Sequence, residues 1–154
     1  VRWYLGRGKR QKAILLLHRL RFAAIFQAGV ANIIKGEAKN AGIELDSKIT
    51  LSRLRECGFQ EMTEKKLLLQ PDEPLFRYIR HNGEISLLRF ACFPGESGSY
   101  RLRVDSGQLE QSYTSHVIVK SGNEPFGLNG ISGTARTNGR GGLELSLTDH
   151  YVTR

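Results

Sequence analysis

Residues 75–93 read LFRYIRHNGEISLLRFACF, and the Asn82-Gly83 pair separates two apolar runs within this stretch. Asn and Gly adopt positive φ with little strain, so this pair between apolar runs is a strong signal for a two-residue β-hairpin turn. The runs at 75–81 and 84–93 are therefore predicted to be two antiparallel strands.

The sequence beyond this hairpin contains further strand-like segments that are separated by turn residues. The predicted strands lie at 100–105, 109–120, 126–136 and 143–153. The turns between them are Ser106-Gly107, 121–123 and 138–142, which are rich in Ser, Gly and Asn. This regular spacing of turns predicts an antiparallel β-meander of about five to six strands.

The sequence before Pro71 has a helical pattern. One helix is predicted from about residue 11 to residues 40–42, with Gly29 and Gly36 as weak points. A short second helix is predicted from Asp46 and Ser47 as caps, Leu51 and Leu54 as an apolar pair, and Gly58 as the stop. Helices that precede strands, without βαβ alternation, predict an α+β fold.

The length of 154 residues suits one compact domain with an N-terminal arm. Gly6 and Gly8 favour a basic arm over residues 1–11. The remainder, 12–154, is predicted to be a single α+β domain that is helical over 12–66 and β-rich over 67–154.

The first helix is predicted to be basic and weakly amphipathic. A helical period places Leu15, Phe22, Phe26 and Ile33 on one apolar stripe that also contains Gly29, while Arg21, Gln27 and Lys35 lie off it. Such a helix can pack on a sheet and still expose most of its cations.

The charge of the chain is concentrated at its N-terminal end. The whole sequence has 23 Lys and Arg against 15 Asp and Glu, a formal net charge of +8. Residues 1–36 contain eight of these cations and no acid, so the rest of the chain is balanced. A block of one sign favours an acidic partner, such as nucleic acid, anionic lipid or an acidic protein face.

The segment from Gly6 to Lys12 combines four cations with two glycines, a composition suited to contact with phosphates. Trp3 and Tyr4 precede it, and aromatic rings stack on unpaired bases, which favours RNA over DNA. The residues predicted to contact nucleic acid are Arg2, Trp3, Tyr4, Arg7, Lys9, Arg10, Lys12, Arg19 and Arg21.

The stretch at 13–34 is 22 residues long and mostly apolar, but His18, Arg19 and Arg21 interrupt it. Each Arg at bilayer depth costs about 2.5–3.5 kcal/mol on insertion scales, so no transmembrane span is predicted. Contact with a membrane surface and a transit peptide are the weaker alternatives for this segment.

The histidines suggest a metal-independent ribonuclease or toxin-like effector as an alternative function. RNA cleavage without a metal needs a base, an acid and a cation for the developing charge. His116 and His150 on predicted C-terminal strands, with Lys120 as the cation, are the candidates. His18 and His81 are expected to be solvated.

The sequence lacks the spacing of zinc ligands, a Gly-x-Ser-x-Gly elbow and a G-x-x-x-x-G-K-[ST] phosphate loop, so no metal and no cofactor are expected. Residues 136–141 (RTNGRG) have the R-x-x-G-x-G spacing that resembles the pyrophosphate loop of acyl-CoA-dependent N-acetyltransferases. However, Leu143, Leu145 and Leu147 alternate with period two, which favours a hairpin turn instead.

Cys57 and Cys92 lie in different contexts without a CxxC motif. They are expected to be reduced, buried and structural, which favours an intracellular compartment, although the sequence leaves a single bridge between them open.

Three functional hypotheses follow. The first is a non-enzymatic module that contacts nucleic acid through its basic arm and helix, alone or within a larger assembly. The second is a structural subunit of a secretion apparatus, filament or particle, which would have protein partners. The third is the ribonuclease.

Overall fold

The computed structural model describes residues 2–27, 29–109, 111–120 and 122–148, and for Arg2 and His81 it describes the backbone alone. In this part of the chain four α-helices precede the strands: α1 (Arg2–Gly6), α2 (Arg10–Ala23), α3 (Val30–Asn40) and α4 (Leu51–Glu56). A short 3-10 helix, Ala24–Phe26, continues directly from α2.

Nine strands follow within the described residues: β1 (Gln60–Glu61), β2 (Lys66–Leu69), β3 (Leu75–His81), β4 (Glu84–Pro94), β5 (Tyr100–Gln108), β6 (Gln111–Val119), β7 (Glu124–Leu128), β8 (Ile131–Thr137) and β9 (Leu143–Leu147). The first sheet has the order β1-β3-β4-β5-β6, and the second has the order β2-β9-β8-β7. Every neighbouring pair is antiparallel except the short β1–β3 pair. The predicted α+β class with an antiparallel sheet is confirmed.

The β3–β4 hairpin has the turn that the sequence predicts. Asn82 and Gly83 have φ of +50° and +79°, and His81 pairs with Glu84 across the turn. Two successive positive φ values are the requirement of the type I′ turn, which explains why Asn and Gly occupy these positions.

The described strands outnumber the five to six expected, and they divide into two sheets. One reason is that the predicted strand at 126–136 is a second hairpin, β7–β8. Its turn residues, Asn129 and Gly130, have φ of +53° and +81°, so the chain reverses there as it does at Asn82-Gly83. The other reasons are two strands that precede the predicted ones. β2, with the sequence KLLL, joins β9 and extends the second sheet, and the two-residue β1 pairs with β3 in the first sheet.

The predicted long N-terminal helix is interrupted. Gln27 has extended backbone geometry, and Gly29 has φ of +85° immediately before α3. A left-handed residue cannot continue a helix, so α2 and α3 are separate segments. The short second helix is confirmed as α4, but its cap is Thr50, whose hydroxyl accepts a hydrogen bond from the Arg53 N–H at 3.3 Å, rather than Asp46 or Ser47.

The largest apolar core lies between the two sheets. Leu102 and Val104 from β5 meet Leu143 and Leu145 from β9, and all four side chains are fully buried. Burial of a Leu or Val stabilises the fold by roughly 1.5–3 kcal/mol relative to exposure. Because side chains alternate between the two faces along a strand, the odd-numbered residues of β5 point to the other face of the first sheet.

The outer face of the first sheet, which points away from the second sheet, is covered in part by the helices. Phe22 from α2 and Leu54 from α4 pack against Tyr78 and Leu87 on this face. A separate cluster joins α1, α2 and α3 through Leu17, Ile34 and their neighbours. The first sheet is therefore packed on both of its faces.

The two cysteines are free and buried on opposite faces of the first sheet. Cys57 belongs to the cluster under the helices, and Cys92 belongs to the core between the sheets. Burial raises the pKa of the Cys57 thiol to about 11. The expected buried thiols are confirmed, and no bridge joins them.

Candidate nucleic-acid interface

Most of the predicted N-terminal cations are exposed to solvent. The exposed ones on α2 and in the turn that precedes it are Arg7, Lys9, Arg10, Lys12 and Arg19. Within the described residues, none of these five forms an ion pair with a carboxylate. Their charge is therefore not neutralised by neighbouring acids.

The exposed ring of Trp3 lies next to two of these cations. The first residues of the predicted arm form α1, and a turn closed by the hydrogen bond from the Lys9 N–H to the Tyr4 carbonyl at 2.8 Å folds the chain back. The guanidinium carbon of Arg7 lies 4.2 Å from the Trp3 ring centroid, and Lys9 Nζ lies 5.6 Å from it. Trp3 keeps 54% of its surface exposed, and Tyr4 meets its ring edge-on at 4.8 Å.

Arg10 is exposed, but its side chain also makes a contact that supports the fold. Its Nη2 donates a hydrogen bond to the Gly42 carbonyl at 2.7 Å, just beyond the end of α3. Cations at a helix C-terminus are stabilised by the helix dipole and the free carbonyls there. Arg10 therefore ties the start of α2 to the end of α3.

Arg21 and His18 point inward, which corrects two expectations from the sequence. Arg21 is only 6% exposed, and its Nη1 donates a hydrogen bond to the Asp46 carbonyl at 2.5 Å. His18 is fully buried instead of solvated: Nδ1 donates to the Ile14 carbonyl at 2.9 Å, and Nε2 accepts from the Asp46 N–H at 3.3 Å. Both side chains find partners on the loop before α4, which explains how they are buried.

The interrupted helix also changes which apolar residues are covered. Phe22 and Phe26 are buried as the predicted stripe requires, but Ile33 is 66% exposed. The break at Gly29 resets the helical phase, so the stripe does not continue from α2 into α3.

Asp46 connects the inner face of α2 to α4. Its carboxylate accepts hydrogen bonds from Arg53 Nε at 2.8 Å and Nη2 at 3.3 Å, and Oδ1 lies 3.5 Å from His18 Nε2. The hydrogen bond from Arg53 holds the pKa of the Asp46 carboxyl below its usual value.

Asp46→Asn is expected to lower the free energy of unfolding by about 1–3 kcal/mol at neutral pH, because charge-assisted hydrogen bonds are lost. A carboxyl whose pKa is lowered by folding stabilises the protein above its ordinary pKa of 3.8, and that contribution is lost as the pH falls through the folded-state value. Urea unfolding across pH should show the difference between wild type and variant shrinking below pH 3.8. Glu44→Gln, at an exposed neighbouring position, is the control; an equal loss there would argue against this role of Asp46.

The residues of the ribonuclease alternative are partly described. His116 is exposed on β6, where it pairs with Arg103 of β5. Lys120 follows β6, is exposed, and donates its backbone N–H to Glu124 Oε1 at 3.1 Å. His150 lies outside the described residues, as does the side chain of Arg2 from the nucleic-acid set, so the predicted pair of histidines is not placed.

A charged cluster on the outer face of the first sheet is absent from the sequence-based candidates. Asp105 of β5 is fully buried, and Arg89 Nε donates a hydrogen bond to its Oδ2 at 2.9 Å. Arg89 Nη2 lies 2.9 Å from the same oxygen. Arg103 Nε donates to Oδ1 at 3.2 Å, and the Thr114 hydroxyl donates to the same oxygen. The period-two alternation of YRLRVD at 100–105 is the signal for it, because it places Arg101, Arg103 and Asp105 on one face.

Some other classes of site are not formed by the described residues. Within 2–27, 29–109, 111–120 and 122–148, no group of three His, Cys, Asp or Glu side chains is arranged to hold a metal ion. In the same ranges, no helix has the length and apolar character needed to cross a membrane.

No protein-family model, curated protein or solved structure matches the chain. A function is therefore inferred from the arrangement of its own residues.

Proposed function

We propose that this protein is a non-enzymatic module that binds nucleic acid through Trp3 of α1 and the exposed cations of α2 and the turn before it. The observation that carries the proposal is the acid-free block at residues 1–36. Five of its exposed cations form no ion pair with a carboxylate among the described residues, namely Arg7, Lys9, Arg10, Lys12 and Arg19. Phosphates are the counter-charge that such a surface attracts, and their neutralisation releases bound ions from the nucleic acid.

Trp3 supports a preference for single strands. Its ring is more than half exposed and is flanked by Arg7 and Lys9, so a base stacked on it would place its own phosphates near both cations. Stacking of a base on an aromatic side chain contributes about 1–3 kcal/mol and tolerates any sequence. RNA, in which unpaired bases are common, is the favoured partner over duplex DNA.

The balanced charge of the rest of the chain supports different roles for the helical surface and the two sheets. Residues 37–154 contain equal numbers of acids and bases, and several of the bases are held in ion pairs such as Arg77–Glu64 and Arg80–Glu61. In this proposal the two sheets support the helical surface, and they are free to contact protein partners in a larger assembly.

The triple variant Arg7→Gln, Lys9→Gln, Lys12→Gln is expected to weaken binding to single-stranded RNA and to reduce its salt dependence. Each lost phosphate contact lowers the magnitude of the slope of log K against log salt by about 0.7, so three contacts lower it by about 2. Fluorescence anisotropy with one labelled RNA at a series of salt concentrations from about 50 to 200 mM measures this slope.

The matched control is the triple variant Lys120→Gln, Arg136→Gln, Arg140→Gln, which removes the same charge from exposed positions in the β-rich part. It should keep the wild-type slope. Equal slopes for the two triple variants would contradict the proposed surface, and so would undetectable binding of RNA by wild type at low salt. Metal-independent cleavage of the RNA that is abolished by His116→Ala would replace this proposal with the ribonuclease.

Trp3→Ala separates stacking from charge in the same assay. It should weaken binding to single strands about tenfold or more while leaving the salt slope and duplex binding unchanged. Equal weakening for single-stranded and duplex probes would contradict the stacking role.

A further inference from the structure

A pocket of about 280 Å³ opens on the outer face of the first sheet, beyond the area that the helices cover. Its walls come from Phe26 of the 3-10 helix, the turn at 72–74 before β3, and the strands β4 and β5. Its volume lies just below the range of about 300–1,000 Å³ that is usual for small-molecule sites, so it suits a small metabolite.

The floor of the pocket carries two guanidinium groups. Arg89 and Arg103 both line it, with side chains that are 11% and 30% exposed. Both bind the single buried carboxylate of Asp105, so one positive charge remains in excess. In the described part of the chain, Arg103 uses only its Nε for this contact, and its two terminal nitrogens have no acceptor.

The pocket is also lined by two acidic residues. Asp72 and Glu73 line it from the turn before β3, and both are exposed. Within the described residues, neither carboxylate forms an ion pair with another side chain. The lining of the pocket therefore combines two acids that form no ion pair within the described residues with a pair of arginines that carries one excess positive charge.

Apolar groups form much of the remaining lining of the pocket. Phe26, Pro74, Ala91 and Phe93 all line the pocket. The guanidinium carbon of Arg89 lies over the ring of Phe26, 5.2 Å from its centre. Small-molecule sites combine apolar walls with a few convergent polar groups in this way.

The charges of the lining select against ligands of a single sign. A simple anion would be attracted by Arg103 and repelled by Asp72 and Glu73, whereas a simple cation would meet the reverse. A ligand with both charges close together, and with an apolar body, matches all three parts of the pocket.

The geometry points to a binding site for a free α-amino acid with an apolar or aromatic side chain. The carboxylate of the ligand accepts hydrogen bonds from the terminal nitrogens of Arg103, and its ammonium group lies by Asp72 and Glu73. Its side chain packs among Phe26, Pro74 and Phe93. This site is independent of the proposed nucleic-acid surface, which lies on α1, α2 and the turn between them.

The test uses the full chain and isothermal titration with L-phenylalanine, 3-phenylpropionate, which lacks the ammonium group, and phenethylamine, which lacks the carboxylate. Wild type should bind L-phenylalanine at least about tenfold more tightly than either analogue. Absence of L-phenylalanine binding at millimolar concentration, or equal affinity for 3-phenylpropionate, would overturn the proposal.

The double variant Asp72→Asn, Glu73→Gln provides a second, opposed readout. It should weaken binding of L-phenylalanine and strengthen binding of 3-phenylpropionate, because it removes attraction to the ammonium group and repulsion of the anion together. Both positions are exposed, so the variant should fold. Unchanged affinities for both ligands would refute the role of the two acids in the site.

Arg103→Gln should abolish the preference for ligands that carry a carboxylate. Arg101→Gln is its matched control, because Arg101 lies on the same strand and face but stacks on Phe93 at 4.8 Å and does not line the pocket. Thermal melting of both variants confirms folding before titration. If Arg101→Gln and Arg103→Gln weaken binding equally, the assignment of the carboxylate to Arg103 is wrong.

Discussion

Replacing Asp105 with Asn is expected to lower the free energy of unfolding by about 3–5 kcal/mol. The carboxylate is fully buried and holds two guanidinium groups, of which Arg89 is only 11% exposed. Without the negative charge, Arg89 becomes a buried cation with no carboxylate, and this uncompensated charge is the main source of the loss.

Urea unfolding followed by circular dichroism measures the effect of Asp105→Asn. The matched control is Glu61→Gln, which removes a carboxylate from the exposed Arg80–Glu61 pair, where the two side chains are 51% and 34% exposed. Solvent screens that pair, so the control should lose no more than about 1 kcal/mol. If the two variants are destabilised equally, Asp105 does not have the role described here.

Gly142→Ala is the second substitution with a large expected effect, a loss of about 2–5 kcal/mol. Gly142 has φ of +90° in the turn between β8 and β9. A Cβ at this position would also collide with the backbone carbonyl of Leu69 at the end of β2. Because the obstacle is backbone, relief requires β2 to move away from β9.

Gly139 in the same turn is a matched control, because a Cβ there meets no atom within 4 Å and its φ is not positive. Gly139→Ala should change the free energy of unfolding by less than about 1 kcal/mol, with a slight gain from the restricted unfolded chain. Thermal and urea unfolding of both variants measure the contrast. A tolerated Gly142→Ala would show that β2 does not lie against this turn.

The parts of the fold that were predictable depend on local chemistry. The Asn82-Gly83 turn follows from two adjacent residues whose φ preferences are known. The same pair at 129–130 carries an equal signal, but Gly127 and Gly133 beside it shorten the apolar runs, so the pattern resembles one irregular strand. The assignment of strands to two sheets depends on long-range pairing, such as β2 with β9, which periodicity does not encode.

The candidate sites were likewise predictable only where the local sequence specifies them. The exposed cations at 7–12 are visible as an acid-free block, since composition alone reveals them. The inward orientation of His18 and Arg21 is not visible in the sequence, because their partner Asp46 reaches them only when the loop before α4 folds back. The alternation at 100–105 places Asp105 on one face with Arg103, but its pairing with Arg89 is hidden from local reasoning, because Arg89 lies 16 residues away along the chain.

The placement of the two thiols on opposite faces of the first sheet equips the protein with a pair of internal reporters. Cys57 is shielded by the helices and Cys92 by the second sheet, so each becomes accessible only when its own layer separates. Pulsed alkylation during unfolding can therefore time the loss of the helical layer and the opening of the sandwich separately, in a chain without any engineered label.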